Sequence, residues 1–138
     1  MAALVASALE QPHHNPPNSD PNSNSGTDYT WLRDLRQANN NRPLSFCVIY
    51  SGFYAPPTAG LDWLYEPQIA TPTLHFLGSN DQIVTEDRSM ALVERCRDPL
   101  VLTHPGTHFV PVARDWAMPV VGWLRERCVK EAEKEEKP

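Results

Sequence analysis

Three short apolar runs, each closed by a turn, limit what this chain can fold into more than any other feature. Residues 44–50 (Leu-Ser-Phe-Cys-Val-Ile-Tyr) lie between Pro43 and Ser51-Gly52. Residues 73–77 (Thr-Leu-His-Phe-Leu) are opened by Pro72 and closed by Gly78, and residues 100–103 (Leu-Val-Leu-Thr) end before Pro105-Gly106. Apolar character that is continuous rather than alternating fits strands covered on both faces, as in a parallel sheet. Between the second and third runs the period changes. Residues 86–97 predict a helix with Met90, Leu92, Val93 and Cys96 inward, Thr85 as its N-cap, and Glu86 and Asp87 in its positive first turn. After the third run a last helix puts Trp116, Val120, Trp123, Leu124 and Cys128 on one face. Pro119 predicts either a kink in it or a start close to Ala117. Strands alternating with helices read as an α/β fold, a parallel sheet with flanking helices.

The rest of the chain is organised around that sheet. Residues 1–10 are rich in Ala and Leu, strong helix formers, and read as a helix buried on all sides. Residues 28–37 place Trp31, Leu32 and Leu35 at helical spacing, with Asn39-Asn40-Asn41 as the stop. Residues 11–27 are Pro-, Asn- and Ser-rich without periodicity and read as a flexible insertion. Residues 129–138 alternate Lys and Glu and read as a charged, solvated C-terminal tail. At 138 residues there is room for one domain, 1–138, and not two.

Composition removes several classes of function. A net charge of −5 with no basic stripe argues against nucleic acid and against an anionic membrane surface. No apolar run approaches the length that crosses a bilayer, and the N-terminal ten residues lack the basic start of a signal peptide. The three cysteines, Cys47, Cys96 and Cys128, are far apart and odd in number. That pattern predicts a reduced, cytoplasmic protein without disulfides or a metal centre. His13-His14 sit in the Pro/Asn stretch and read as loop residues rather than metal ligands.

Chemistry is expected where the runs end, because open parallel sheets bind ligands beyond the carboxyl ends of their strands. Asp81 follows the second run in the turn Gly78-Ser79-Asn80-Asp81, and His108 follows the third in Pro105-Gly106-Thr107-His108. An acid and then a histidine, each on a turn after a strand, is the second half of a Ser-Asp-His triad in α/β-hydrolase order. The acid would fix the imidazole tautomer so that the other ring nitrogen takes a proton from a nucleophile. Bland readings compete: Asp after Gly-Ser-Asn is a common turn former, and His108 fits a loop histidine. His75 and His104 read as structural. Ser51 precedes a glycine at a strand end but lacks a glycine two positions earlier, so it fits the nucleophile turn poorly. Phe53, Tyr54, Trp63 and Phe109 border the same edge, either as a substrate pocket or as core.

Three blocks carry a resemblance: Ile49-Tyr50-Ser51-Gly52-Phe53, residues 71–81 (Thr-Pro-Thr-Leu-His-Phe-Leu-Gly-Ser-Asn-Asp) and residues 104–111 (His-Pro-Gly-Thr-His-Phe-Val-Pro). Together, over about residues 44–124, they resemble the carboxy-terminal half of the FSH family of serine hydrolases, α/β-hydrolases found widely in fungi and other eukaryotes. The resemblance implies Asp81 as triad acid and His108 as triad base; Phe53, Tyr54 and Phe109 are substrate-binding candidates only by their place at the same edge. It implies hydrolysis of a carboxylic ester or thioester, including a carrier-bound polyketide, with no cofactor. In the family a G-[FY]-S-Q-G turn leads into an alanine-rich helix, which residues 1–10 resemble.

No G-x-S-x-G turn occurs in the sequence. The expectation is therefore a partial α/β-hydrolase fold lacking the N-terminal strands and the nucleophile elbow, either as a truncated chain or as a non-catalytic pseudoenzyme. The first run would then be an exposed sheet edge, and a homo-oligomer through that edge is expected. A small parallel-sheet binding module unrelated to hydrolysis is the remaining alternative.

Overall fold

Burial is greatest along one strand, and that strand organises the molecule. In the computed structural model, which describes residues 1–11 and 29–135, β2 (Thr73–Gly78) is buried at all six positions. It lies between β1 (Cys47–Tyr50) and β3 (Leu100–His104) in a three-stranded sheet of order β1-β2-β3. Both pairings are parallel, with Cys47 opposite Thr73 and Leu74 opposite Leu100. The expected α/β architecture and the adjacency of the second and third runs are both present.

Alternation along the strands divides the core in two. Cys47 and Ile49 pack with Ala3, Ala6, Tyr65, Ile69, Leu92 and Cys96 on one face. Helices α1 (Ala2–Glu10) and α3 (Glu86–Val93) cover that face. Leu74 and Phe76 point the other way, onto Trp123, with Val48, Leu102, Trp116, Val120 and Leu124 around them. There α4 (Arg114–Glu135) supplies the cover. A third cluster joins Ala8, Leu32, Trp63 and Leu64, where α1 meets α2 (Thr30–Ala38). Arg36 of α2 ties this corner by donating to Ala8 O at 2.9 Å and Gln11 O at 2.6 Å, carbonyls that the end of α1 leaves unpaired.

Several local expectations change. The first strand begins only at Cys47, and it is not covered on both faces, since Tyr50 is exposed. At the end of the sheet order, β1 pairs with β2 alone among the described residues. The helix after β2 stops at Val93. Cys96 is buried beyond it, beside a parallel bridge between itself and Ile69. Thr85 does hold the N-cap position, but its hydroxyl makes no capping bond. The last helix begins at Arg114 and runs through Pro119. Helix interiors resist proline because it lacks an N–H and crowds the carbonyl four residues back. Pro119 lies within two turns of the helix start, where only one such bond is lost.

Cys128 faces solvent rather than the apolar side, so the inward stripe ends at Leu124. Trp63 is buried in the α1–α2 corner and not at the strand-end edge, on a short 3-10 turn (Asp62–Tyr65). Asn40 and Asn41 both take positive φ at the end of α2, the conformation asparagine tolerates best after glycine. The expected insertion over 11–27, apart from Gln11, and with it His13-His14, lies outside the described residues. The charged tail continues α4 as far as Glu135, and 136–138 also lie outside them.

Candidate active site

The turns that follow β2 and β3 are tied to one another along their backbones. Ser79 N–H donates to His104 O at 2.9 Å and Asn80 N–H to Gly106 O at 3.1 Å, carrying the ladder past both strands. The Asn80 side-chain amide adds a bond to Pro105 O at 2.9 Å. Glycine at 78 makes the approach possible, since a Cβ there would stand 2.5 Å from Thr107 O and 2.8 Å from Gly106 O. The second turn is braced from below by His104, which is buried between Phe109 and Trp116 with ring centroids at 5.0 and 5.8 Å. Its Nδ1 accepts the Gly106 N–H at 3.1 Å, so its proton belongs on Nε2.

These ties bring Asp81 and His108 together. Asp81 N–H returns to Gly78 O at 3.1 Å and closes its turn. Its Oδ1 accepts the N–H groups of Ile83 and Val84, each at 2.9 Å, an Asx-type turn that fixes the carboxyl plane. The other oxygen, Oδ2, lies 2.9 Å from His108 Nδ1. The Asp81 side chain is 1% exposed and that of His108 41%, so the acid is enclosed while the base reaches solvent.

Burial opposes the charge on Asp81. The Val84 N–H, His108, the Ile83 N–H and the Ser51 hydroxyl outweigh that opposition and lower the carboxyl pKa to about 2. An ionised carboxylate can only accept, so Nδ1 of His108 carries the proton and donates it. In the neutral ring Nε2 then holds the lone pair. This is the tautomer that removes a proton from a hydroxyl placed at Nε2.

Ser51 completes the inner side. It follows β1, and its N–H donates to Phe76 O at 2.9 Å. Its φ is +46°, a left-handed conformation in a residue with a Cβ. The hydroxyl oxygen is buried and makes no hydrogen bond. Its place at a strand end before Gly52 shows in the sequence, but its left-handed backbone does not, because positive φ at serine has no local signature. The stitching role of Asn80 was equally hidden. Gly78 did carry a signal, a glycine set immediately after a buried strand.

The three aromatic candidates occupy different surroundings. Phe53 is 44% exposed with the Arg88 guanidinium 4.5 Å from its ring centre. It borders an open cleft of about 380 Å³ shared with Met1, Tyr50, Ser51 and Tyr65. Tyr54 is half-buried against Tyr65, ring centroids 4.8 Å apart, with Arg95 stacked 3.6 Å over it. Phe109 is 51% exposed and packs over Gly106 and His104. Of the three, Phe53 lines the cleft beside Ser51.

Comparison with known proteins bears on the chain's family. The family model described as Serine hydrolase (FSH1) matches residues 1–120. An esterase of Aedes aegypti is 39% identical over 82 residues, 59% of this chain and 30% of that protein. Family of serine hydrolases 3 of Saccharomyces cerevisiae is 33% identical over 110 residues, 78% of this chain and 40% of that protein. A dihydrofolate reductase of Schizosaccharomyces pombe is 45% identical over 69 residues, 50% of this chain but only 15% of that protein. A name given to so much additional sequence carries no argument here. The chain thus spans less than half the length of these curated relatives. No solved structure matches it.

Proposed function

The chain belongs to the serine hydrolase (FSH1) family, and on that footing we propose that it carries the acid–base half of an ester- or thioester-cleaving site. The observation that supports this is the 2.9 Å contact between a buried, ionised Asp81 and a solvent-reaching His108. Asp81 orients the ring and stabilises the imidazolium. His108 Nε2 takes the proton of a serine hydroxyl as that oxygen attacks the acyl carbon. The same nitrogen then returns the proton to the leaving alcohol or thiol. The substrate is a small-molecule ester or acyl thioester, carrier-bound acyl groups included, and the reaction calls for no cofactor.

The nucleophile in this reading is a serine outside these 138 residues, because none of their serines stands in a G-x-S-x-G turn. A protein in which such a turn is encoded in frame ahead of Met1 is expected to label with a fluorophosphonate probe. Labelling is expected to disappear with His108→Ala; labelling that survives the substitution removes His108 from the mechanism.

The same absence favours a second reading, a non-catalytic chain that keeps the fold and acts by association. Under it the 138 residues neither label nor turn over a p-nitrophenyl ester, and they self-associate along β1.

A further inference from the structure

The last residue of β3 is a histidine that packing alone does not call for. His104 is 2% exposed, and its ring lies between two aromatic rings, 5.0 Å from the centroid of Phe109 and 5.8 Å from that of Trp116. Its Nε2 is buried with no hydrogen-bond partner among the described residues. A buried polar edge without a partner is costly, and a phenylalanine of similar shape would fill the same place without it. The other nitrogen supplies the reason for histidine, because Nδ1 accepts the Gly106 N–H at 3.1 Å.

Both flanks of His108 depend on this ring. Two residues before it, the Gly106 peptide is held by its N–H on His104 Nδ1 and by its carbonyl on the Asn80 N–H, 3.1 Å in each case. One residue after it, the Phe109 ring packs on His104 and over Gly106, where a Cβ would stand 2.2 Å from Phe109 Cε1. The Phe109 N–H closes on Thr107 O at 3.0 Å, so His108 is carried on a short turn held at both ends. His104 is also in register with the acid. It stands opposite Gly78 in the β2–β3 pairing, and its carbonyl accepts the Ser79 N–H at 2.9 Å. Its backbone is thus tied to the turn of Asp81, and its ring to the turn of His108.

We propose that His104 is a positioning residue for the base: its Nδ1, by holding the Gly106 N–H, sets the turn that aims the His108 ring at Asp81. The inference rests on the reading of His108 as the base of an acid–base pair. His104 acts through Gly106 and Phe109, not on the acyl group. Phe109, a candidate for the substrate side, belongs to the brace in this account.

Two substitutions separate the acceptor from the ring. His104→Phe keeps an aromatic ring between Phe109 and Trp116 and removes the acceptor. His104→Asn gives up most of the ring and keeps an acceptor oxygen where Nδ1 stands, one bond beyond Cγ. The asparagine variant is expected to have the lower urea midpoint, because it leaves a cavity. The base is expected to follow the opposite order, read from ¹⁵N spectra of the histidine rings in the 138-residue chain. With asparagine, His108 keeps its proton on Nδ1. With phenylalanine, that fixed proton is lost and the Gly106 amide exchanges with solvent about tenfold faster, as for one broken hydrogen bond. His108 signals that follow the stability order overturn the proposal, and so do signals that change equally in both variants or in neither. Should either variant fail to fold, the unaltered chain decides: its spectrum must show His104 Nδ1 unprotonated, and a proton on that nitrogen overturns the proposal. These signals require no turnover. Their failure is therefore distinguishable from fluorophosphonate labelling that survives His108→Ala, which removes the base and leaves the His104–Gly106 bond in place.

Discussion

The two ends of the sheet edge are built to different standards. On the β2–β3 side, backbone bonds from Ser79 and Asn80, the Asn80 amide and the close approach at Gly78 lock two turns together. The acid and base they carry are oriented to a single contact. On the β1 side, Tyr50 and Phe53 are exposed and border an open cleft with the first residue of the chain. There Ser51 turns a buried hydroxyl inward. The contrast teaches where preorganisation has been invested. In the proposed reading of His108 as a base, tautomer and direction must be fixed before reaction, and the locked side offers that geometry.

The largest effect that can break this comparison is catalytic. If the β2–β3 side is half of a triad, the 138 residues alone hydrolyse p-nitrophenyl esters at a negligible rate. Loss of the nucleophile from such a unit costs about 10⁶-fold in kcat, and the oxyanion donors are lost with it. Robust turnover that His108→Ala abolishes would mean that the open side is already complete.

Next in size is a pH effect from inside the locked half. His75, on the middle strand, is buried and its Nε2 has no hydrogen-bond partner. Burial lowers its pKa from 6.5 to about 4. The folded state therefore holds it neutral while the unfolded chain takes up a proton, so its contribution is full above pH 6.5 and falls away toward pH 4. The loss is on the order of 3 kcal/mol. Asp81, also depressed, adds a separate loss as pH falls from 3.8 toward about 2, where its carboxylate is protonated. Urea midpoints measured from pH 7 to pH 4 are expected to drop steadily, and His75→Leu is expected to flatten the curve. A wild-type profile flat to pH 4.5 contradicts the buried neutral ring.

Gly78→Ala tests the locking itself. The added methyl would meet Thr107 O and Gly106 O, backbone atoms with little room to retreat. A destabilisation of about 1–3 kcal/mol is expected, together with displacement of the His108 ring resonances in an NMR spectrum. An unperturbed His108 in a folded Gly78→Ala variant would show that the turns do not depend on close contact.

How much of this was legible depends on the range of each cause. The three strands follow from local runs with clear stops at Gly78 and Pro105-Gly106, whereas their order, which brings Asp81 beside His108, is set by pairing between distant segments. The 3-10 turns Pro57–Ala59 and Asp62–Tyr65 are too short to show a period, so the sequence pattern alone does not carry Trp63 from the strand ends to the α1–α2 corner. Cys128 lies at helical spacing from Leu124, yet the sheet that would cover it has ended by then. Cys96 was read as helical because its burial, shared with Ile69 in a bridge, comes from a segment far earlier in the chain. Asn80 acts across the strand ends, through a contact with Pro105 O that leaves no trace in the residues beside it.

The smallest expected effect sharpens the open side. Phe53 is 44% exposed and its described ring contact is the Arg88 guanidinium, 4.5 Å from its centre. Arg88 also donates to Ile83 O at 3.2 Å, in the loop that follows Asp81. Exposed cation–π contacts contribute about 0.5–1 kcal/mol, so Phe53→Ala is expected to cost no more than that. A double-mutant cycle with Arg88→Ala isolates the pair, because each substitution removes the contact without burying a new charge. If the rim is open, the coupling stays below about 1 kcal/mol and the Asp81–His108 contact is unaffected. A coupling well above that would mean Phe53 is desolvated in solution. The β1 side would then be a closed face, and its difference from the locked turns would disappear.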